Sequence, residues 1–313
     1  MTATKPPTAK SSRIYLPHDT AYLQGTLLDF FSQHFAHIPR DDWQARFADG
    51  LVTDTNGNPQ TASAPYRAGQ TLQYYRAVAN EPYIAAEPTL LHLDEHLLVI
   101  DKPHGLPVIP TGQYVEQTVL AKLRGHPDLL ARHAAGQLDI MAISPLHRLD
   151  KDTAGVMLLS VNPASRGIYQ QGFANHTMHK VYHAIAPTRT DLAYPYRVAN
   201  RIERGEPFFL SQIVAGAPNA VTDIKLIQHG GAVSLYELTP LTGKKHQLRV
   251  HMASLGMPLL NDNLYPTVQP IGTSDLSRPL QLLAKTIDFI DPISKQARTF
   301  VSQQALLLHG EDG

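Results

Sequence analysis

The sequence predicts an α+β protein, a small α-α-β unit followed by a larger domain built on a mainly antiparallel central sheet. Three observations carry this. Two apolar patterns of helical spacing and one strand-turn-strand pattern follow one another within residues 18–80. From residue 90 onward, short apolar runs bounded by turn residues outnumber helical segments, which favours a mainly antiparallel sheet over a doubly wound parallel one. A chain of 313 residues, 43% hydrophobic and 17% charged, is long enough to bury a substantial core.

Taken in order, residues 1–17 begin with a Thr/Lys/Pro/Ser-rich run without an apolar centre and read as a disordered leader rather than a signal peptide. Leu23, Leu27, Leu28, Phe31 and Phe35 predict a helix over 20–35, and a second helix fits 41–49, with Pro39 ahead of it and Gly50 as its stop. A strand over 51–53, the turn Asn56-Gly57-Asn58 and a returning strand over 69–77 complete the unit. Residues 81–89, with Pro82 and Pro88 at the edges of a stretch without periodicity, read as a linker to a domain over 90–313. There, strands are expected at 90–93 and 97–100, a helix at 115–123 and an irregular, alanine-rich insertion at 125–136. Further strands fit 155–160, 180–186, 220–227, 233–239, 280–289 and 298–301, and a helix fits 245–255, ended by Gly256.

Composition excludes several classes. Without cysteine there is no disulfide framework, thiolate metal site or Cys nucleophile, and a cytoplasmic setting is the default. No run approaches the roughly 18 apolar residues that a membrane span needs. The 27 basic residues equal the 27 acidic ones, so an anionic partner would have to be met by a local patch. There is no Gly-x-Gly-x-x-Gly, Gly243-Lys244 fails as a phosphate loop, and no Gly-x-Ser-x-Gly elbow exists. His176, His179 and His183 have no neighbouring carboxylate ligand, so no metal is expected there.

One segment stands apart. His147, Arg148, Asp150, Lys151, Asp152 and Thr153 form a charge-dense loop feeding directly into the apolar strand Val156-Met157-Leu158-Leu159. Loops at strand ends are where active sites accumulate, yet a surface salt-bridge turn would look the same, and the residues alone leave both open.

The run His147-Arg148-Leu149-Asp150-Lys151-Asp152-Thr153-Ala154-Gly155 resembles the signature of RluA-type pseudouridine synthases, departing from it at Ala154, where Ser is usual. Three further segments are similar to that family in the same order: Asp101-Lys102-Pro103-His104-Gly105-Leu106, Lys180-Val181-Tyr182-His183-Ala184, and the stretch 242–251 from Thr242 to His251, followed by Asp262-x-Leu264-Tyr265. A closing segment with Leu282-Leu283-Ala284 is a weaker match, since the family usually has His at the position of Leu283. The helix-helix-hairpin order of 18–80 also resembles a small αL RNA-binding domain. That domain normally carries several basic residues on its second helix, whereas Arg40 and Arg46 here stand among Asp41, Asp42 and Asp49. An amphipathic cap that does not touch RNA remains the alternative.

The resemblance implies a pseudouridine synthase fold with a deep catalytic cleft across the sheet and no cofactor. It implies a monomer that converts uridine to pseudouridine in RNA, with 23S ribosomal RNA favoured over transfer RNA by the αL-like unit, and a non-catalytic RNA-binding factor as the other class of reading. It makes Asp150 the nucleophile or base, Arg249 the partner that keeps Asp150 ionised, and Tyr182 the ring that stacks on the base. Arg148 would manage the flipped nucleotide. Leu282 would line the base pocket, with His147, Thr153 and His246 beside it, and Lys102, Lys180, Lys244 and Lys245 would meet phosphates.

Overall fold

Thr26 and Asp29 start the first helix by capping each other. The Asp29 N–H donates to Thr26 Oγ1 at 3.2 Å and the Thr26 N–H donates to the Asp29 carboxylate at 2.9 Å, satisfying donors that a helix start leaves open. In the computed structural model, which describes residues 11–19, 22, 24–36, 38–75, 81–269, 275–306 and 308, this cap sets α1 at Leu27–His34, later than the helical spacing predicts. Leu23, on which part of that prediction rests, lies outside the described residues, as do 1–10 and 76–80.

The described residues fall into two compact units, one running to Tyr83 and taking in Pro110–Gln117, the other holding the remainder. In the first, β1 (Ser12–Tyr15), α1, α2 (Arg40–Ala48), β2 (Val52–Asp54) and β3 (Thr71–Tyr74) build a three-stranded antiparallel sheet, order β1-β3-β2, with two helices. β1 corrects the leader expected over 1–17. Its Ser-Arg-Ile-Tyr alternation buries Ile14 and exposes Arg13 and Tyr15, so it pairs with β3, Ser12 opposite Tyr74. The core is aromatic: the Phe31 ring lies 4.6 Å from Trp43 and 5.4 Å from Phe47. Residues 110–117 belong here because the N–H groups of Val115, Glu116 and Gln117 converge on the Glu81 carboxylate at 2.7, 3.0 and 2.6 Å.

The second unit contains β4 (Thr89–Leu93), β5 (Leu97–Lys102), α3 (Val119–Arg124), α4 (Pro127–Ala134), β6 (Ser144–Pro145), β7 (Ala154–Ser160), α5 (Pro163–Ala174) and β8 (His179–Pro187). It continues with β9 (Tyr196–Arg204), β10 (Ser211–Val214), β11 (Ala220–Gly230), β12 (Val233–Pro240), α6 (Gln247–Ser254), β13 (Leu282–Ile290) and β14 (Ala297–Val301). The strands form one sheet in the order β10-β9-β11-β12-β8-β13-β7-β5-β4, with β14 on β13 and β6 on β7. The expected α+β, mainly antiparallel architecture is what forms, and among these pairs β13 and β7 alone run parallel. β13 sits between β8 and β7 and so joins the two halves of the sheet.

Residues 125–136 are not irregular: Pro127 at the first helical position and the His126 ring accepting from the Asp128 N–H start α4, which buries Leu129. α5, capped by Asn162 with Pro163 behind it, and the β9–β10 pair were not anticipated. The helix expected at 115–123 begins at Val119, where Thr118 accepts from the Ala121 N–H.

Candidate active site

The loop carrying Asp150 joins β6 to β7 and is pinned on both flanks. On one side, the His147 ring accepts from the Leu158 N–H at 3.0 Å and stacks on Phe173, with centroids 4.6 Å apart. Burial, then the nearby Lys180 charge, pulls His147 down to about 3, so the ring is neutral and free to accept. On the other side, Lys102 Nζ donates to the carbonyls of Pro103, Leu106 and Lys151 at 2.9, 3.0 and 2.9 Å, and His104 Nδ1 meets the Asp152 carbonyl at 2.7 Å. Lys102 is fully buried. This corrects its expected phosphate contact: the ammonium ties the loop after Asp150 to the loop after β5.

The opposite wall begins in the turn after β12. Gln247 accepts from Thr242 Oγ1 at 2.7 Å and from the Lys244 N–H at 3.0 Å, while its amide donates to the Val221 carbonyl at 3.0 Å. The turn 242–246 is thereby fastened to β11, and α6 starts with six consecutive buried residues, Gln247 to Met252. His251 is held between Thr222 Oγ1 and Asn200 Oδ1, both at 2.9 Å.

Arg249 is the buried cation of this wall, and its principal partner differs from the one expected. It donates to both oxygens of Asp262, at 2.8 and 2.6 Å, while its Nη1 lies 3.8 Å from Asp150 Oδ2. Burial draws the guanidinium pKa downward, but the hydrogen bonds to Asp262 and the charge of Asp150 reverse this and leave it above its ordinary value. Sequence reasoning quoted Asp262 without a role. A buried arginine requires a fully bonded carboxylate, and the burial of Arg249 that raises this requirement is visible only in the fold.

Between the walls lies a cavity of ≈ 560 Å³, in the range of roughly 300–1,000 Å³ usual for ligand sites. Asp150, Tyr182 and Arg249 all line it. Tyr182 projects from β8, where its register partners are Leu238 and Ala284, and burial followed by the Asp150 charge holds its phenol well above the ordinary value and neutral. Leu282 at the start of β13 closes the floor with Leu146 and Leu149. His147, Thr153, Lys180 and His246 complete the interior, and Arg148, Lys244 and Lys245 are exposed at the rim. Of the expected site residues, only Lys102 is elsewhere. Lys245 titrates below its ordinary value through partial burial and the charges of Arg148 and Arg204, against the opposing pull of Asp150. The rim is therefore locally cationic in a chain of zero net charge.

The two departures from the family signature meet. Ala154 and Leu283 are Cα partners across the parallel contact of β7 and β13, and both are fully buried. An apolar pair thus occupies the place where the family usually has a Ser and a His.

Residues 96–254 match the sequence profile described as RNA pseudouridylate synthase. The chain belongs to this family. It is 34% identical over 242 residues to an uncharacterised RNA pseudouridine synthase of Synechocystis, covering 76% of this chain and 79% of that protein. It is 27% identical to the mitochondrial tRNA pseudouridine(32) synthase of Saccharomyces cerevisiae, of which the match spans 50%. Among solved structures, the human RNA pseudouridylate synthase domain containing 4 matches 69% of this chain and 88% of its own, with TM-score 0.50 and 28% identity. Among the described residues, the synthase has no helix long and apolar enough to cross a membrane and no cluster of three or more His, Cys, Asp or Glu able to hold a metal ion.

Proposed function

We propose that this synthase isomerises a uridine flipped out of a transfer RNA loop, with Asp150 as the group that attacks the nucleoside or takes a sugar proton. The observation that carries this reading is the placement of Asp150 in the cavity, its side chain 22% exposed, facing Tyr182 and a guanidinium already held by a second carboxylate. The glycosidic bond at N1 breaks, the uracil turns while held, and C5 bonds to the sugar as its hydrogen leaves. Tyr182 stacks on the detached base, a contact worth about 1–3 kcal/mol, and Leu282 bounds the pocket behind it. Arg148, at the rim beside the nucleophile, takes the place of the extruded nucleotide, and Lys244 and Lys245 meet the phosphates on either side.

Transfer RNA is favoured because two yeast relatives, at 27% and 29% identity, are named for transfer RNA. The outward face of α2 gives no basic stripe for a ribosomal contact: Asp41 and Asp42 are exposed, Arg40 pairs with Asp29 at 2.8 Å, and the Arg46 guanidinium lies over the Trp43 ring. A second reading, 23S ribosomal RNA, rests on the first unit, in which the order α1-α2-β2-β3 behind β1 resembles that of an αL-type domain.

The test incubates the unaltered protein and Asp150→Asn with total RNA lacking pseudouridine and maps the new sites. Sites confined to transfer RNA, and none with the Asn variant, are expected. Sites in 23S RNA select the second reading, and equal activity of the Asn variant removes Asp150 from the chemistry.

A further inference from the structure

Behind Asp150 lies a chain of contacts that the proposed chemistry does not use. The Ser211 N–H of β10 donates to the Tyr265 hydroxyl at 2.7 Å. That hydroxyl lies 2.9 Å from His246 Nδ1, and His246 Nε2 lies 3.8 Å from Asp150 Oδ1. Arg249 faces the other oxygen, Oδ2, at the same 3.8 Å. Ser211 and Tyr265 are buried, and His246 holds a left-handed backbone, φ +55°, that side chains rarely adopt and that aims its ring into the site.

The proton positions follow from counting donors. Tyr265 accepts from the Ser211 N–H, so its own proton is free for His246 Nδ1. The imidazole proton then sits on Nε2, pointing at the carboxylate. The opposite tautomer would set the Nε2 lone pair against the Asp150 carboxylate and take Nδ1 away from the phenol proton as an acceptor. Burial, against the pull of Asp150, brings His246 down to about 4, so the ring is uncharged at neutral pH. The same Asp262 that binds Arg249 accepts the N–H groups of Leu264 and Tyr265 at 2.8 and 3.0 Å. One carboxylate therefore orients both the Arg249 guanidinium and the segment that carries Tyr265.

We infer that Tyr265, anchored by Ser211, holds His246 as its Nε2–H tautomer, and that Tyr265 and His246 are positioning residues giving Asp150 an uncharged donor at Oδ1 opposite the Arg249 guanidinium at Oδ2. The inference rests on Asp150 as the reacting carboxylate. At 3.8 Å from each oxygen, beyond direct hydrogen-bonding reach, one neutral N–H and one guanidinium orient the carboxylate by charge–dipole and charge–charge attraction while leaving it less stabilised, and so more reactive, than two cations would.

Two measurements test it. The first records ¹⁵N spectra of the histidine rings in the free protein at pH 7, with His246→Gln supplying the assignment. Protonated Nε2 is expected, becoming a tautomer mixture in Tyr265→Phe; protonated Nδ1 overturns the inference whether or not the protein has activity. The second follows tritium release from [5-³H]uridine-labelled transfer RNA and 23S transcripts. Tyr265→Phe and His246→Leu are expected to lower kcat by about tenfold or more, with KM changed by less than about twofold. His246→Gln, whose amide places an N–H near Nε2, is expected to keep activity within about threefold and to make Tyr265→Phe silent in the double variant. Full activity of Tyr265→Phe, or an undiminished loss in the Gln background, overturns it. If the unaltered protein releases no tritium, it is the Asp150 reading that fails, and the spectra still decide the tautomer.

Discussion

Arg249 donates to Asp262 through two hydrogen bonds at 2.8 and 2.6 Å and stands 3.8 Å from Asp150. The buried cation is thus neutralised by a carboxylate that does no chemistry, and Asp150 is left without a tight partner. Asp262→Ala strands the guanidinium and is expected to cost about 3–5 kcal/mol in urea unfolding. Asp150→Ala, at a partly exposed position, is expected to cost less than about 1 kcal/mol while abolishing tritium release.

Gly155 has φ +112°, and a Cβ there would lie 2.2 Å from the Ala284 carbonyl oxygen and 2.7 Å from its carbon and nitrogen. Backbone cannot yield as a flexible side chain does. Gly155→Ala is therefore expected to lose more than about 3 kcal/mol, read as a fall in the thermal midpoint.

Ala154 and Leu283 face each other in a sealed position. Ala154→Ser alone buries a hydroxyl opposite an apolar side chain and is expected to cost about 1–3 kcal/mol. Ala154→Ser with Leu283→His supplies the polar partner and should cost less than the two single changes added together, as a double-variant unfolding cycle will read.

Among the described residues five histidines are pushed down chiefly by burial: His104 and His183, and furthest His147, to about 3, and His246 and His251, to about 4, against an ordinary 6.5. In the unfolded chain each takes up its proton near 6.5, in the folded chain only lower, so the unfolded state binds more protons between these values. Stability is fully present above about pH 6.5 and falls as acid is added, by at most about 1.4 kcal/mol per pH unit for each histidine. Urea midpoints at pH 7, 6 and 5 are expected to decline in order, and a flat series would contradict the buried-neutral assignment.

The strands with apolar runs were legible because β5 and β7 are buried on both faces and carry unbroken apolar runs, Leu97–Ile100 in β5 and Val156–Leu159 in β7. β1 was hidden behind a polar leader, although Ile14 carried the alternation. β9 and β10 escaped because they are short on apolar residues and lie at the end of the sheet, β10 outermost and β9 inside it, where exposed Arg197, Glu203 and Gln212 break the pattern. At the site, the family resemblance singled out Asp150, Tyr182 and the rim lysines, all of which line one cavity. Residue types and their order could not tell a lysine that caps three carbonyls from one that meets a phosphate, since both are a Lys in a turn. Nor could they reveal that Arg249 bonds a residue 13 positions onward, because that pairing is made by the turn after α6.

Asp150 precedes β7 in one half of the sheet, Tyr182 lies on β8 in the other, and among the described strands only β13 pairs with both. During synthesis the nucleophile is therefore made long before the strand that brings it to Tyr182. The two half-sheets are joined, and the cavity between Asp150 and Tyr182 is closed, by a strand that ends at Ile290. Contacts of such long sequence separation place the closing of the site among the late, slow steps of folding.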